Sequence, residues 1–122
     1  MTLADGSVLT VGGEDDSGAL AGIWRFDSSL QRVVAQTPLA AARSLVRAVV
    51  TPADETLLWG GEQEADKGLT SGVAWRGGSQ RALTEMTAPH AWHSQTRLSD
   101  GKLLVLGGQH RGNLVGGGML YD

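Results

Sequence analysis

The sequence contains no cysteine, and this absence excludes several kinds of chemistry. Disulfide bonds, cysteine-ligated zinc and thiol catalysis all need a side chain that the sequence does not supply. The same absence leaves the cellular compartment open, because a chain without cysteine suits reducing and oxidising surroundings alike. We therefore predict no localisation.

Positive charge and long apolar runs are also scarce. The chain has 10 Lys and Arg against 13 Asp and Glu, which gives a formal net charge of −3. A nucleic-acid interface needs basic residues gathered on one face, so we do not expect a nucleic acid as partner. No stretch approaches the roughly 18 apolar residues of a membrane span, and the first residues have no signal-peptide pattern. We therefore expect no membrane insertion by this segment.

Glycine, in contrast, is abundant. The sequence has 18 glycines, about twice the number that an average usage of about 7% predicts. They follow no collagen-like period, and such an excess is typical of many tight turns between short strands. The composition therefore favours an all-β chain.

Three glycine doublets recur at a nearly constant period. They are Gly12-Gly13, Gly60-Gly61 and Gly107-Gly108, 48 and 47 residues apart. Each doublet ends an apolar run, at residues 8–11, 57–59 and 103–106. Each is followed by a polar loop and then by an aromatic residue, 13 or 14 positions after the second glycine: Phe26, Trp75 and Tyr121. We interpret these features as one structural unit repeated along the chain.

Each part of this pattern has a physical reason in a β-structure. A short apolar run favours a strand that is buried on one or both faces. A glycine pair at the end of such a strand can turn with positive φ and approach a neighbouring backbone closely. An aromatic side chain at a fixed offset can then lie across the glycines or against the next unit.

The repeat resembles the kelch family of β-propellers. The shared features are the apolar run, the doublet, the aromatic residue followed by Asp in two units, and a proline-containing lead-in before the next unit. There are two departures: Val33 and Ala82 stand where the family has a tryptophan, and Val46 replaces the histidine that His93 keeps. The resemblance implies about two and a half four-stranded antiparallel blades within residues 1–122, as a partial propeller.

Ten strands follow from this alignment. The first blade has three strands within residues 6–35, at 6–11, 22–27 and about 31–35. The second has four within residues 44–85, at about 44–51, 56–60, 72–76 and 80–85. The third has three within residues 92–121, at about 92–98, 102–107 and 117–121. One alternative stays open, because residues 38–50 also have good helix propensity, with proline near the start.

Ten strands do not close a ring of four to eight blades. The apolar faces at both ends of such an arc need further sheets, so the partner we expect is the remainder of the propeller. It comes from the same longer chain or from other copies, and we favour the longer chain because each copy would lack an outer and an inner strand.

Propeller geometry places the loops after the doublets and the lead-ins on one face. Six residues on this face are our candidates for ligand binding: Arg43, Glu64, His90, Trp92, His110 and Arg111. The acidic loops are either solvated turns or a patch for a cation or a basic partner. Arg43 and His90 either hydrogen-bond turn carbonyls or contact a ligand, for which Arg43 offers a planar fork. Of the four tryptophans, Trp92 is the best candidate for a role other than packing.

Two function classes remain. The first is a non-catalytic scaffold that binds a protein or a small ligand, because the sequence shows no nucleophile–base constellation. The second, implied by the resemblance, is a sector of a sialic-acid mutarotase-like isomerase, to which Arg43, His90 and Glu64 would contribute. A copper oxidase site is not expected, since Tyr121 is the only tyrosine and cysteine is absent. His90 and His93 would point to opposite faces of a strand, so we predict neither a metal nor another cofactor.

Overall fold

The computed structural model describes residues 1–27 and 29–121, and in these ranges all regular structure is β. The expectation of an all-β chain is confirmed. The sixteen strands are β1 (Val8–Val11), β2 (Glu14–Asp15), β3 (Gly18–Ala19), β4 (Ile23–Asp27), β5 (Arg32–Ala35), β6 (Arg47–Val50), β7 (Thr56–Trp59), β8 (Glu62–Glu64), β9 (Lys67–Gly68), β10 (Gly72–Arg76), β11 (Ser79–Leu83), β12 (Ser94–Arg97), β13 (Leu103–Leu106), β14 (Gln109–His110), β15 (Asn113–Leu114) and β16 (Gly118–Tyr121).

Ten of these strands form three antiparallel sheets with one connectivity. The first sheet has the order β1-β4-β5, the second β6-β7-β10-β11 and the third β12-β13-β16. Equivalent strands pair in the same register, because the aromatic residue after each doublet lies opposite the first residue of the preceding strand. These pairs are Val8–Phe26, Thr56–Trp75 and Leu103–Tyr121. None of these sheets closes on itself within the described ranges.

The other six strands form three short hairpins that the sequence did not predict. They are β2-β3, β8-β9 and β14-β15, which we call the first, second and third hairpins. Each lies in a polar segment after a doublet that we had interpreted as a loop. These strands are two or three residues long and carry no apolar alternation, so hydrophobic periodicity gives no signal for them.

The start of the chain adds a partial strand to the first sheet. Thr2 forms an isolated bridge with Val8. The terminal amino group donates to the carbonyl of Leu9 at 2.9 Å, and the Leu9 amide donates back to Met1 at 2.8 Å. Met1 and Thr2 thus occupy the edge of β1 that corresponds to the edge of β7 covered by β6. This pairing was not predicted.

The helical alternative for residues 38–50 is wrong. Residues 47–50 form β6, which pairs with β7 along its whole length, from Arg47–Trp59 to Val50–Thr56. Ladder pairing and packing on both faces of β6 override the local preference for helix. Ala48 and Val50 contribute to one apolar cluster and Val49 to the other.

Two apolar clusters hold the three sheets together. The cluster between the first and second sheets is centred on buried side chains from both, namely Leu9, Ile23, Leu58 and Trp75, with Leu3 and Leu39 at its margin. The cluster between the second and third sheets contains Leu57, Trp59, Ala74, Leu83, Met86, Leu103 and Val105. The second sheet is therefore packed on both faces, which explains why every residue of β7 is buried.

The aromatic residues of the repeat lie in these interfaces. Trp75 packs towards the first sheet, and Tyr121 packs against Trp59 of the second sheet with ring centroids 4.7 Å apart. Both point from their own sheet to the preceding one. Phe26 occupies the same position in the first sheet and is exposed. Burial of a side chain as large as Trp59 contributes about 3 kcal/mol to stability.

The glycine doublets turn the chain at equivalent strand ends. All six glycines have positive φ, between 64° and 117°. A Cβ atom at Gly12 or at Gly60 would lie 2.3 Å from the carbonyl oxygen of Arg43 or His90, respectively. No side chain fits that space, so a close approach of two backbones requires glycine at these positions.

Candidate functional site

One edge of the three sheets carries the hairpins and the lead-in segments. We define the lead-in segments as residues 37–46 and 84–93, which precede β6 and β12. Because consecutive strands are antiparallel, the end of β7 and the starts of β6 and β10 meet at one edge, and the same holds for the third sheet. Isolated bridges from Ser44 to Glu62 and from Ala91 to Gln109 join each lead-in to the hairpin of its own sheet. We call this the loop edge.

Charge is unevenly distributed along the loop edge. The first hairpin carries Glu14, Asp15 and Asp16; the second carries Glu62, Glu64, Asp66 and Lys67; the third carries His110 and Arg111. Glu64 is exposed and accepts a hydrogen bond from Lys67 at 2.6 Å, also exposed. An exposed pair of this kind adds little stability, because water screens both charges. Glu64 is therefore accessible to a partner.

Asp15 is occupied by the turn of the first hairpin. Its Oδ1 accepts hydrogen bonds from the amide of Ser17 at 2.8 Å and from the Ser17 hydroxyl at 2.5 Å. These bonds favour the carboxylate and hold the pKa of Asp15 below its usual range. This acidic residue has a structural role in the turn, which agrees with one of the two interpretations of the acidic loops.

Arg43 lies beneath the loop edge and binds protein backbone. Only 1% of the surface of Arg43 is exposed. Nη1 donates to the carbonyls of Gly60 and Ser71, both at 2.9 Å, and Nη2 donates to the Ser71 hydroxyl at 3.0 Å. Burial lowers the pKa of Arg43, and these bonds offset part of the cost of desolvating the guanidinium. This geometry matches the hydrogen bonding to turn carbonyls that we gave as one alternative.

His90 makes the corresponding contact in the third sheet. It is buried, and its Nδ1 lies 2.5 Å from the carbonyl oxygen of Gly107. Gly107 is the first glycine of its doublet, as Gly60 is of the second. Arg43 and His90 therefore hold equivalent carbonyl oxygens, and neither presents its bound nitrogen to solvent.

His93 is the most isolated polar side chain near the site. It is 1% exposed, and neither ring nitrogen has a hydrogen-bond partner among the described residues. Burial, with a smaller contribution from the charge of His90, lowers the pKa of His93 to about 4. The two rings meet edge to face with centroids 6.4 Å apart. His93 is therefore a neutral side chain at pH 7.

Trp92 forms an exposed pocket at the loop edge. It is 57% exposed and has a positive φ of 57°, as does Leu45, its equivalent in the second sheet, at 53°. Together with Gly108, Gln109 and Leu114, it lines a pocket of about 360 Å³. Leu114 is 92% exposed, which is unusual for a leucine at the end of a strand. We call this pocket the Trp92 slot.

The third hairpin places His110 and Arg111 differently. His110 is half-buried, and Gly68 of the second hairpin approaches its ring so closely that a Cβ there would lie 2.8 Å from Nδ1. Arg111 is exposed at the tip of the hairpin with a φ of 51°. Arg111 is therefore accessible, whereas His110 belongs to the contact between two hairpins.

The six sequence candidates thus separate into two groups. Glu64, Trp92 and Arg111 are exposed on the loop edge, whereas Arg43 and His90 are buried and His110 is half-buried. Gln109 and Leu114 of the slot were not among the residues predicted from the sequence. No signal in the sequence identifies them, because the exposure of one leucine depends on which sheets pack against it.

A second pocket lies at the opposite edge of the second sheet. It has a volume of about 450 Å³, and its lining includes Glu55, Arg76 and Arg81. Arg81 forms a two-point pair with Glu55, with N–O distances of 3.0 and 2.9 Å. These bonds, with a smaller contribution from Tyr121, raise the pKa of Arg81. The charges that line this pocket are therefore largely paired with each other.

Comparison with known proteins gives no assignment: the chain matches no protein-family model and no curated protein. Within residues 1–27 and 29–121, no three His, Asp or Glu side chains lie close enough together to hold a metal ion. The part of the chain that the structure describes contains no helix of the length and apolarity that a membrane crossing requires.

Proposed function

We propose that the chain is a sector of a kelch-type β-propeller and acts as a scaffold that binds a protein or a small ligand through its loop edge. The observation that carries this proposal is the threefold repetition of one sheet with one register, each copy packed face to face against the next. The strands β6 and β12, which begin the second and third sheets, lie next to each other. Adjacent first strands are expected for sheets that fan around an axis.

The remainder of a ring would cover two open apolar faces. On the first sheet, Val8, Trp24, Phe26 and Val33 share one face and are exposed. On the third sheet, Leu104, Leu106 and Leu120 share the face that points away from the second sheet, and two of them are exposed. The equivalent faces inside the molecule are buried in the two clusters. Further sheets, from a longer chain or from other copies, are therefore the partners we propose for both faces.

The hydrogen bonding and exposure of the candidate side chains favour a binding role over catalysis. An isomerase that used Arg43 and His90 would need their nitrogen atoms at a substrate, but both are engaged with backbone carbonyls. The exposed groups on the loop edge are Glu64, Trp92 and Arg111. An acid and a guanidinium on short hairpins, with an aromatic ring on the adjacent lead-in segment, suit recognition of a protein surface.

Charge substitution on the second hairpin tests this proposal. The variant Glu64→Gln/Asp66→Asn removes two negative charges from the loop edge, which shifts its net charge by +2, and Asn tolerates the positive φ of 62° at residue 66. The matched control, Ser79→Lys/Ser99→Lys, shifts the net charge by the same amount at exposed positions on the opposite edge. Each immobilised protein captures partners from a lysate of the source organism, and the captured proteins are quantified by mass spectrometry.

A partner that binds the wild type and the control, but is lost from the hairpin variant, would support the scaffold. A rise in melting temperature with sialic acid or copper, in the absence of such a partner, would instead support an enzymatic propeller. A partner retained equally by all three proteins would exclude the loop edge as its binding surface.

A further inference from the structure

Each lead-in segment is hydrogen-bonded to the doublet of the preceding sheet, in a contact that we call the clasp. The amide of Gly13 donates to the carbonyl of Arg43 at 3.1 Å, and the amide of Gly61 donates to the carbonyl of His90 at 2.8 Å. These bonds join equivalent positions, the second glycine of a doublet and the residue that supplies the side-chain contact of the next sheet. The clasp is therefore a repeated feature of the contact between sheets.

The second sheet also contacts the lead-in to the third sheet through its hairpin and through Leu45. A Cβ at Gly68, in β9, would lie 2.8 Å from the Cβ of Pro89 in the next lead-in. The carbonyl of Leu45 accepts a hydrogen bond from the amide of Trp92 at 3.2 Å. The lead-in to the third sheet thus contacts the doublet, the hairpin and the positive-φ residue of the second sheet.

The same three elements of the third sheet are uncovered. A Cβ at Gly107 would meet no described atom within 4 Å, whereas at Gly12 and Gly60 it would collide with a carbonyl oxygen. Leu114, which corresponds to Gly68, is exposed, and so is Trp92, which corresponds to Leu45. The slot that these residues line is therefore the unfilled equivalent of the sites that hold the two lead-in segments.

We propose that the Trp92 slot is the docking site for a third lead-in segment, with the local conformation of residues 37–46. The inference rests on the proposed sector of a larger ring and specifies how the next sheet attaches. A backbone carbonyl of the bound segment accepts a hydrogen bond from the amide of Gly108. A backbone amide of the segment donates to the carbonyl of Trp92, and an apolar side chain covers Leu114.

The occupant is a further lead-in segment because the two that this chain contains are already bound. Arg43 and His90 each give their carbonyl to a doublet of the same molecule. A second copy in the same fold therefore has no free lead-in to offer. The slot needs an additional repeat unit, and the pattern of residues 37–46 describes its local structure.

A synthetic peptide with the sequence of residues 29–46 tests the slot directly. It contains the segment of β5, which in the first sheet pairs with β4, followed by a complete lead-in. The equivalent of β4 in the third sheet is β16, whose outer edge has no partner strand among the described residues. A control peptide keeps residues 29–36 and replaces the lead-in by a Gly-Ser repeat of equal length. Binding is measured by titration calorimetry and by the NMR shift of the Gly108 amide.

We expect the peptide with the lead-in to bind about tenfold more tightly than the control peptide, because it adds two hydrogen bonds and an apolar contact. The substitution Leu114→Asp should remove this difference, and the signal of the Gly108 amide should move only with the complete peptide. The matched variant Leu30→Asp, which makes the same substitution at another exposed leucine on a distant turn, should leave the difference intact.

Equal affinity of the two peptides, or a difference that survives Leu114→Asp, would overturn the slot. If both peptides bind equally at the edge of β16, the slot fails while the proposed sector of a ring stands. If the lead-in binds the slot but the loop edge captures no partner, the slot stands and the scaffold function fails.

Discussion

Arg43 and His90 bind equivalent backbone carbonyls with different side chains. The guanidinium of Arg43 reaches the carbonyl of Gly60 and also bridges to Ser71, whereas the imidazole of His90 reaches only the carbonyl of Gly107. In each sheet the bond fixes the first glycine of the doublet, where the strand ends and the hairpin begins. The position therefore needs a donor of the right length, and more than one residue type supplies it.

Substitutions at Arg43 test this equivalence. We expect Arg43→Ala to lower the free energy of unfolding by about 3 kcal/mol, because it removes buried hydrogen bonds and leaves a cavity. Arg43→His should lose about half as much, since it can repeat the bond that His90 makes. Urea denaturation measures both, with the exposed Arg97→Ala as control, expected within about 0.5 kcal/mol of wild type. If Arg43→Ala is as stable as Arg97→Ala, the role assigned to the guanidinium is wrong.

His93 makes the stability of the chain depend on pH. Its pKa falls from the ordinary value of 6.5 to about 4 in the folded state. Between these pH values the unfolded chain binds a proton at this residue that the folded chain does not. Stability therefore falls as the pH is lowered from about 6.5 to about 4, by about 2 to 3 kcal/mol from this residue. Unfolding free energies measured across this range should follow that slope.

The control for His93 comes from the repeat itself. Val46 occupies the corresponding position in the second sheet, so His93→Val places an apolar side chain in an equivalent site. The carboxylates with lowered pKa, such as Asp15, titrate in both proteins and cancel in the difference. An unchanged slope between pH 6.5 and 4 in His93→Val would show that the pH dependence arises elsewhere.

At the scale of the elements, a doublet glycine and a turn glycine distinguish two costs of a positive φ. Gly60 has a φ of 66° and a carbonyl in the space of its missing side chain, whereas Gly77 has a φ of 55° and no described atom within 4 Å. We expect Gly77→Ala to cost about 1 kcal/mol from backbone strain alone, and Gly60→Ala to cost about 3 kcal/mol or more. Thermal and urea unfolding of the two variants measure the difference. Similar losses would mean that the contact with the His90 carbonyl contributes little.

Most of the strands that could be predicted from the sequence were predicted from the repeat. The doublets, the apolar runs and the aromatic offset located the main strands, because these features are tied to strand ends and buried faces. The hairpins were missed because strands such as Glu14–Asp15 have only backbone pairing and no apolar side. Residues 38–50 have two local preferences, and only the pairing of β6 with β7 decides between them.

The candidate site was less predictable than the elements. The sequence placed Arg43, His90 and Trp92 near one edge, but it does not determine which of them is buried. That outcome depends on the next sheet along the chain. Trp92 is exposed because no further lead-in among the described residues covers it, whereas Leu45, at the same position of the preceding sheet, is covered by the next lead-in and is half-buried.

At the scale of the whole molecule, the two open faces predict association in solution. Trp24 is 51% exposed and Val33 is 62% exposed on the outer face of the first sheet. Apolar side chains gathered in this way favour contacts that remove them from water. We expect the weight-average mass in sedimentation equilibrium to rise with protein concentration. Trp24→Gln/Val33→Gln should reduce the associated fraction at least about twofold.

The control for association is Leu30→Gln, which removes an exposed apolar side chain at a turn rather than on a sheet face. It should leave the concentration dependence unchanged. A wild-type protein that stays monomeric at every concentration would contradict the expectation that these faces need a partner. A reduction of the same size in Leu30→Gln would assign the association to general surface apolarity.

The clasp also sets an order of events during synthesis on the ribosome. The Gly13 amide is bonded to a carbonyl 30 residues further along the chain, and the Gly61 amide to one 29 residues further. During synthesis each of these amides therefore stays bonded to water until the following lead-in has emerged and its carbonyl can replace that water. The first and second sheets therefore complete their hydrogen bonds only after the lead-in to the next sheet has been synthesised.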